Sequence, residues 1–557
     1  MAQITGPSRL KRVMSTLQKL QIGLLQDSVY SDRYIRDLIV WAGKQEDLEI
    51  SHLLVHAVPN ETAVNKWRRE FAQHGIGWLS RALLKSIRFV EQQVLRVYAG
   101  GKYRDHIRES RIDDLIPTAL SISRFSAEEV AKVRATGCDV LIHGGSGILQ
   151  GEILEATPLG VLSLDHGDNR VNRAGPAGFW ESYLEWPATG FVIQRLTPCG
   201  GDVLTRGSYP TKWFFLLNQA SLFTKSNVHL KNLLKRVARE RSLPPAEDPV
   251  PYSAGLLRGP STGDCLGYTI KLAVRAIRKG GSSLIRYRHR WSLSFAFTDW
   301  RRAVLWRAKT PAPPPGRFLA DPFVWRHQGK TFCLAEDYAY SKGVGWISAM
   351  EIDGQNCTRP EPVLVEPFHL SFPYLFEFNG TIYMCPECSA SGQIRLYRST
   401  EFPRKWDFAK AIMSDVSAAD TMLFEKGGRW WMLTNLDPTR EGDFGAELYL
   451  FSADSPLSES WVSHPANPLK IDPIGGRNAG LLRDGERLFR AGQVQGFDRY
   501  GAGIQLFEIT CLSLGEYQER LVSEIRPGFR KGLLGTHHIS SSNGVTVVDS
   551  VRREFVW

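Results

Sequence analysis

The chain has 557 residues, 43% of them hydrophobic, with a formal net charge of +11. That length allows two to four domains, and core size limits none of them. No run approaches the ~18 apolar residues of a membrane span, the polar and basic Met1–Lys19 segment has no secretory apolar core, and eight scattered cysteines give no disulfide framework. A reducing, cytoplasmic location is expected. The excess positive charge is compatible with an anionic membrane face or phosphorylated substrates, and equally with a generally basic surface.

In chain order, Leu20–Leu25 reads as a buried strand, Ser31–Gly43 as a helix capped by Ser31, and Leu48–Val55 as a second strand. A strand–helix–strand opening favours a parallel sheet. No Gly-x-Gly-x-x-Gly follows the first strand, so no dinucleotide site is expected. Trp78–Tyr98 is a long amphipathic helix. Leu83, Ile87, Val90, Val94 and Val97 are expected on one face, with Arg81, Lys85, Arg88, Gln92 and Arg96 on the other. The basic stripe suits acidic lipid or a plain solvated face. Ser126 and Glu129 form a capping-box pattern before another helix. Asp139–Ile142 is a strand running into His143-Gly-Gly-Ser-Gly147, where glycines would let a ligand approach the backbone.

Gly160–Leu164 is a strand that opens into a polar, glycine-rich loop. Asp165, His166, Asp168, Arg170 and Arg173 fall within nine residues of it. Such density just past a strand points to a site, although these groups could simply knit the loop together. Asp165 and His166 are the candidate catalytic pair here; Asp168, Asn169 and Arg173 are candidate substrate-binding groups.

The order strand, glycine turn, helix, strand, His-containing loop, Trp186-Pro-x-Thr-Gly190, Cys199-Gly-Gly-x-Val-Leu204 resembles the amino-terminal domain of formyltransferases. The likeness is clearest over 138–215. It implies 10-formyltetrahydrofolate as the donor and an amine, here an amino sugar, as acceptor. That family uses Asn-x-His at a strand end and an Asp before Gly-Gly, for the oxyanion and the proton. Ser163, Asp165 and Cys199 stand at those three positions in this chain.

Ser242–Pro251 is proline-rich and marks a domain boundary. Leu266–Lys279 reads as a short basic helix, Gly280–Ser283 as a hinge, and Trp291–Phe297 and Ala303–Trp306 as strands that close a ring with the carboxyl-terminal segment. The expected domains are 1–240, a linker at 241–290, and 291–557.

From Leu319 onward a strand, tight Gly turn, strand pattern occurs five times. Its turn glycines are Gly329, Gly380, Gly428, Gly485 and Gly544. A period of roughly fifty residues with paired strands in each unit means propeller blades rather than two stacked sheets. The fold class is therefore an α/β domain with a mainly parallel, formyltransferase-like sheet, followed by an all-β five-bladed propeller. Six to eight residues before each turn glycine stand Asp321, Pro373, Asp420, Asn478 beside Arg477, and His537–His538. Outgoing strands end in Glu336, Glu387, Asn435 and Gln493. Strand positions this polar are rare in a β core, and their convergence on one axis suits a polyhydroxylated ligand. Paired carboxylates across a cleft are what glycoside hydrolysis needs: Asp321 is the candidate base or nucleophile, Glu387 the acid and Asp420 the orienting group. Arg477, Gln493 and His537 are candidate sugar-binding groups. Cys385-Pro-Glu-Cys388 is a single pair and makes no four-ligand zinc site, so no metal is expected.

Ala320-Asp-Pro-Phe323 is similar to the opening of five-bladed glycosidases. Together with His369-Leu-Ser-Phe-Pro-Tyr374, Tyr383-Met-Cys-Pro-Glu387 and Trp461-x-x-His-Pro-x-x-Pro468 it resembles the propeller found in glucosamine inositolphosphorylceramide transferases, over about 318–550. The two resemblances imply a transferase-type, carbohydrate-active protein of surface-glycan or glycolipid synthesis. Its partners would be a sugar, nucleotide-sugar or glycolipid, with peripheral membrane contact through basic segments and no nucleic acid. A propeller glycoside hydrolase with an inactive amino-terminal domain, and a non-catalytic glycan-binding protein, remain alternatives.

Overall fold

The computed structural model describes residues 19–56, 77–97, 109–122, 125–145, 149–168, 170, 175–251, 255, 257, 259–284, 287–353 and 356–555. It divides into two compact units. One comprises Met1–Trp180, Gly190–Gly207 and Phe214–Tyr268; the other comprises Glu181–Thr189, Ser208–Trp213 and Thr269–Trp557.

The first unit is built on a seven-stranded sheet. Its strands are β1 (Leu20–Gln26), β2 (Leu48–His56), β3 (Thr118–Ile122), β4 (Val140–His143), β5 (Val161–Asp165), β6 (Ala188–Thr197) and β7 (Gly200–Pro210), in the order β3-β2-β1-β4-β5-β6-β7. β1 to β5 are parallel, and β6 runs antiparallel to β5. The apolar runs of β1 and β4 are buried almost throughout, as strands covered on both faces must be. The chain leaves β1 towards β2 and β3, then returns to β4 on the other side. That reversal opens a crevice outside the carboxyl ends of β1 and β4, where open parallel sheets bind ligands.

The first helix, α1 (Arg33–Ala42), buries Tyr34, Ile35, Leu38 and Ile39. Its N-cap is Asp32, not Ser31; the Ser31 hydroxyl instead donates to Gln26 Oε1 at 3.1 Å. Helix α2 (Gly77–Val97) is rotated from the sequence expectation. Among the residues whose burial is described, Glu91 and Leu95 are its buried ones, whereas Val90 and Val94 face solvent. The cause is polar: Glu91 accepts the Tyr268 hydroxyl and the Leu216 N–H, and a buried carboxylate takes its donors wherever they are. Ser126 caps α3 (Ala127–Arg134) through the Glu129 N–H, as its sequence pattern indicates. α4 (Phe215–Glu240) follows β7, and α5 runs from Thr262 to Leu284. The expected hinge at Gly280–Ser283 is therefore helical.

The second unit contains five four- or five-stranded antiparallel sheets, one per repeat. Blade one opens with β8 (Arg317–His327), blade two with β9 (Ser371–Phe378), blade three with β10 (Ala418–Lys426), blade four with β11 (Ile474–Asp484), and blade five with β12 (Ile539–Ser542) followed by β13 (Val545–Phe555). Tyr287–Ala296 pairs antiparallel with β13, Trp291 opposite Val551, so an early strand completes the last blade and closes the ring. Closure leaves no open sheet edge between the first and last repeats. Ala303–Trp306 is not a strand; two 3-10 turns, Trp300–Arg302 and Leu305–Arg307, occupy this stretch. Where blades four and five meet, Gly480 lies at φ +119°, and a Cβ there would stand 2.1 Å from the Ile539 carbonyl oxygen. Gly480→Ala is expected to lower the melting free energy by ~3 kcal/mol or more, read as a drop in the denaturant midpoint of the propeller transition. A change under ~1 kcal/mol would mean that the two blades part easily.

Candidate functional site

Each of the first four blades interrupts its inner strand in the same way. The pairing register skips between Ala320 and Phe323, Ser371 and Tyr374, Ala419 and Met422, and Asn478 and Leu481. In the first three the bulged residue sits in the left-handed region: Asp321 at φ 49°, Phe372 at 46° and Asp420 at 49°. A bulge re-aims one side chain out of the strand's alternation. A non-glycine residue held there costs of order 1 kcal/mol and tends to persist at functional positions. The structural equivalent of Asp321 in blade two is thus Phe372, not Pro373.

Two linked networks form around these bulges. In the first, Arg477 donates from Nε to Asp420 Oδ2 at 2.6 Å and from its terminal nitrogen to Asp420 Oδ1 at 3.2 Å and Glu387 Oε2 at 3.3 Å. Gln493 donates to Asp420 Oδ2 at 3.2 Å. Ser371 and Ser389 donate to the two oxygens of Glu387. Tyr500 lies under the guanidinium at 5.1 Å. In the second network, His537 stands between two carboxylates, Nε2 3.2 Å from Asp321 and Nδ1 2.7 Å from Asp549. Asp549 Oδ1 also accepts the backbone N–H groups of His537 and His538, at 2.9 and 3.0 Å. The neighbouring His538 is fully buried between the rings of Phe323 and Phe372, 4.5 and 5.0 Å away.

This environment drives similar groups to different protonation states. Burial would raise Asp321, but the charge and contact of His537 hold it at about 2. Burial would lower His537, yet Asp549 and Asp321 lift it to about 10. Burial lifts Asp420 to about 7 against the pull of Arg477, and burial together with the charge of Asp321 lifts Glu336 well above the carboxylate range. One ionised carboxylate beside others held protonated is how a single site supplies both base and acid.

Asp321, His537 and Asp549 are also close enough to share a cation, their donor atoms lying within 4.8 Å of one another. With His537 charged the set is an imidazolium between two carboxylates; with only Nδ1–H kept, towards Asp549, Nε2 and Asp321 would be the groups left to hold a cation. Cys385 and Cys388 are both buried as free thiols, and burial raises each pKa, so neither is poised as a thiolate.

Asp321, Glu387, Asp420, Arg477, Gln493 and His537, chosen from sequence, are therefore brought into one constellation. Sequence reasoning missed Asp549 and Tyr500. Asp549 had a signal: it is an acid inside the apolar run Val545-Thr-Val-Val-Asp-Ser-Val551, a place an acid occupies only with partners.

In the first unit, a cleft of about 1120 Å³ lies at the carboxyl ends of β4 and β5, lined by Gly144, Gly145, Ser163, Asp165, Gln194 and Arg206 among others. Asp165 accepts hydrogen bonds from Ser163 and, at 2.6 Å, from Gln194; burial raises its pKa. His166 does not pair with Asp165 or Asp168. Its ring packs against Tyr34 at 5.0 Å and Phe223 at 4.4 Å, and burial pushes its pKa down to about 3. Asp168 is held by Arg170 and Arg206, both at 2.6 Å. Asn169 and Arg173 lie outside the described residues. Cys199, at the third family position, is exposed in the turn between β6 and β7.

Because His166 packs as an aromatic ring, His166→Phe is expected to be tolerated at neutral pH. The native pKa lies below the ordinary 6.5, so protonation in the unfolded chain costs native stability as pH falls from about 6.5. The variant should lose that dependence and gain ~1 kcal/mol over wild type near pH 5, measured as the difference between two denaturation series. Equal pH slopes would show the imidazole to be solvated.

A five-bladed propeller with a buried, charge-coupled carboxylate cluster at its bulged inner strands, attached to a parallel α/β unit, is the class that fold and site define. Within it, residues 304–544 match the family model described as glucosamine inositolphosphorylceramide transferase 1, N-terminal. Curated relatives of that name match this chain. The one from Arabidopsis thaliana is 34% identical over 259 residues, covering 43% of this chain and 33% of that protein; the one from Oryza sativa subsp. japonica is 33% identical over 254 residues, covering 43% and 34%. The chain spans about a third of the length of the curated relatives it matches. Solved structures match with low scores. The catalytic domain of a Coprinopsis cinerea alpha-L-arabinofuranosidase has a TM-score of 0.33 at 12% identity, covering 47% of this chain and 96% of that one. Glycinamide ribonucleotide transformylase 1 from Symbiobacterium toebii has 0.27 at 11% identity, covering 41% and 91%. The blade assignment rests on the strand pairing itself.

Proposed function

We propose that the propeller takes a sugar of a glycan or glycolipid at the Asp321–Glu387–Asp420 cluster, as part of a carbohydrate-active protein of glycan or glycolipid synthesis. The observation that carries this reading is the repeated bulge, which places Asp321 and Asp420 of two blades, both buried, in one charge-coupled set with Glu387 of a third. Acceptors of this number and directionality suit vicinal hydroxyls, and the surplus of carboxylates over free cations suits an amino sugar. The printed name of the curated relatives, glucosamine inositolphosphorylceramide transferase 1, supports the same ligand class. A second reading, glycoside cleavage, is favoured by one specific feature: Asp321 is held ionised while Glu336 is held protonated and Asp420 is lifted to about 7, the kind of division that acid–base glycoside chemistry uses.

The first unit, in this account, is a formyltransferase-type scaffold turned away from formyl transfer. Its cleft has Ser163, Asp165 and Cys199 where that reaction uses Asn, His and Asp; His166 is packed between rings, and the imidazole that acts on Asp165 is His143, which also lines the cleft.

The test is calorimetric titration of the full chain with a glucosamine-inositol phosphate headgroup and, separately, with 10-formyltetrahydrofolate. Binding of the headgroup that is lost in Asp321→Asn is the expected result, with no formyl transfer to an amino sugar. Headgroup binding unchanged in Asp321→Asn removes the axial site, and formyl transfer restores the family activity to the first unit.

A further inference from the structure

Helix α2 presents a surface that neither unit's chemistry accounts for. Its orientation is fixed by Glu91, whose carboxylate takes the Tyr268 hydroxyl and, at 3.0 Å, the Leu216 N–H, and by the buried Leu95. The opposite side is exposed and apolar. Phe89 is 62% accessible, Val90 57% and Trp78 45%, with Leu79 and Val94 also exposed. Trp78 and Phe89 are eleven residues apart, three turns at ~3.6 residues each, and so lie on one line along the helix. Arg81, Lys85 and Arg96 are exposed along the same side. Glu91 is the helix's one acid and it is buried, so the exposed side carries positive charge alone.

We propose that α2 lies in the headgroup layer of an anionic membrane, with Trp78, Phe89, Val90 and Val94 entering the apolar boundary and Lys85 and Arg96 meeting lipid phosphates. Interfacial helices have this make-up: an aromatic and aliphatic strip beside a basic flank, and too little total hydrophobicity to span. No helix of the described residues is long and apolar enough to cross. Charge selects the occupant. A second copy docked through this face would oppose two sets of like charges. A nucleic-acid backbone would neutralise the cations but leave Phe89 and Val90 against water and phosphate. An anionic lipid surface satisfies both kinds of side chain at once. The inference stands on α2 alone and does not depend on the sugar site.

The experiment is co-sedimentation of the full chain with vesicles of phosphatidylcholine containing about 30 mol% phosphatidylserine, a typical anionic surface, and with phosphatidylcholine alone. Preference for the anionic vesicles, weakened when salt is raised to about 0.5 M, is expected. Phe89→Ser with Val90→Ser, and separately Lys85→Glu with Arg96→Glu, should each lower the partition coefficient roughly tenfold. Both pairs are exposed, and the melting curve checks that each variant folds. Amide exchange of the wild type gives a second readout: residues 77–97 should slow on adding anionic vesicles. No vesicle binding, binding by either variant equal to that of the wild type, no slowing at 77–97, or a dimer that Phe89→Ser dissolves would each overturn the proposal.

Discussion

Replacing Arg477 with methionine is expected to destabilise the propeller by ~3–5 kcal/mol at pH 8, because the change leaves buried carboxylates without their cation. Three of this residue's contacts go to Asp420 and Glu387, and Asp420 has almost no solvent to turn to. The loss should be pH-dependent. With Arg477 present, burial already lifts Asp420 to about 7; without it the carboxyl is held neutral to higher pH still. Protonation then relieves the unpaired charge as pH falls, so the destabilisation at pH 5 should be smaller than at pH 8. Asp420→Asn in the Arg477→Met background should recover part of the stability. A double-mutant cycle from urea denaturation measures the coupling, expected at ~2 kcal/mol or more. Additive effects would mean that the pair is solvated.

Asp549→Ala is the second large effect, ~3–5 kcal/mol, since this carboxylate serves the His537 ring and three backbone N–H groups, those of His537, His538 and Asp321, from a fully buried position. Its sign with pH follows from the two groups it organises. His537 is raised from 6.5 to about 10, so its contribution is whole below pH 6.5 and fades as pH climbs through about 10. Asp321 is lowered from 3.8 to about 2, so its contribution is whole above pH 3.8 and fades as pH falls through about 2. The difference between wild type and Asp549→Ala should therefore be greatest between about pH 4 and 6.5 and shrink in alkali. A difference that grows from pH 7 to 10 would contradict an imidazolium between two carboxylates.

The propeller was legible because its signal is repeated. Five glycine turns at a near-constant period specify paired strands, and polar residues at matching offsets specify what faces the ligand. The offsets failed by one residue where the bulge intervenes. Pro373 and Phe372 are adjacent in sequence, but a left-handed residue breaks the two-residue alternation on which sequence reading depends. Asp549 escaped for a related reason, since the closing blade draws a strand from Tyr287–Ala296 and its offsets do not follow the other four. In the first unit the parallel sheet was readable from β1, α1 and β2, whereas the facing of side chains was not. Val90 and Val94 looked like core on helical spacing, yet one acid, Glu91, turned the helix by its need for donors. His166 looked like a catalytic imidazole one residue out of place, and the fold uses it as a ring between Tyr34 and Phe223. Periodicity reports apolar demand; a buried polar group that outweighs it is visible only once its partners are in space.

The most direct test is a crystal structure of the full chain soaked with the glucosamine-inositol phosphate headgroup. The account predicts the sugar ring beside Asp321, Glu387 and Asp420, with hydroxyl or amine groups within hydrogen-bond distance of at least two of these carboxylates. A ring found in the cleft of the first unit, beside Ser163 and Asp165, would contradict it and would move the sugar chemistry to the α/β scaffold.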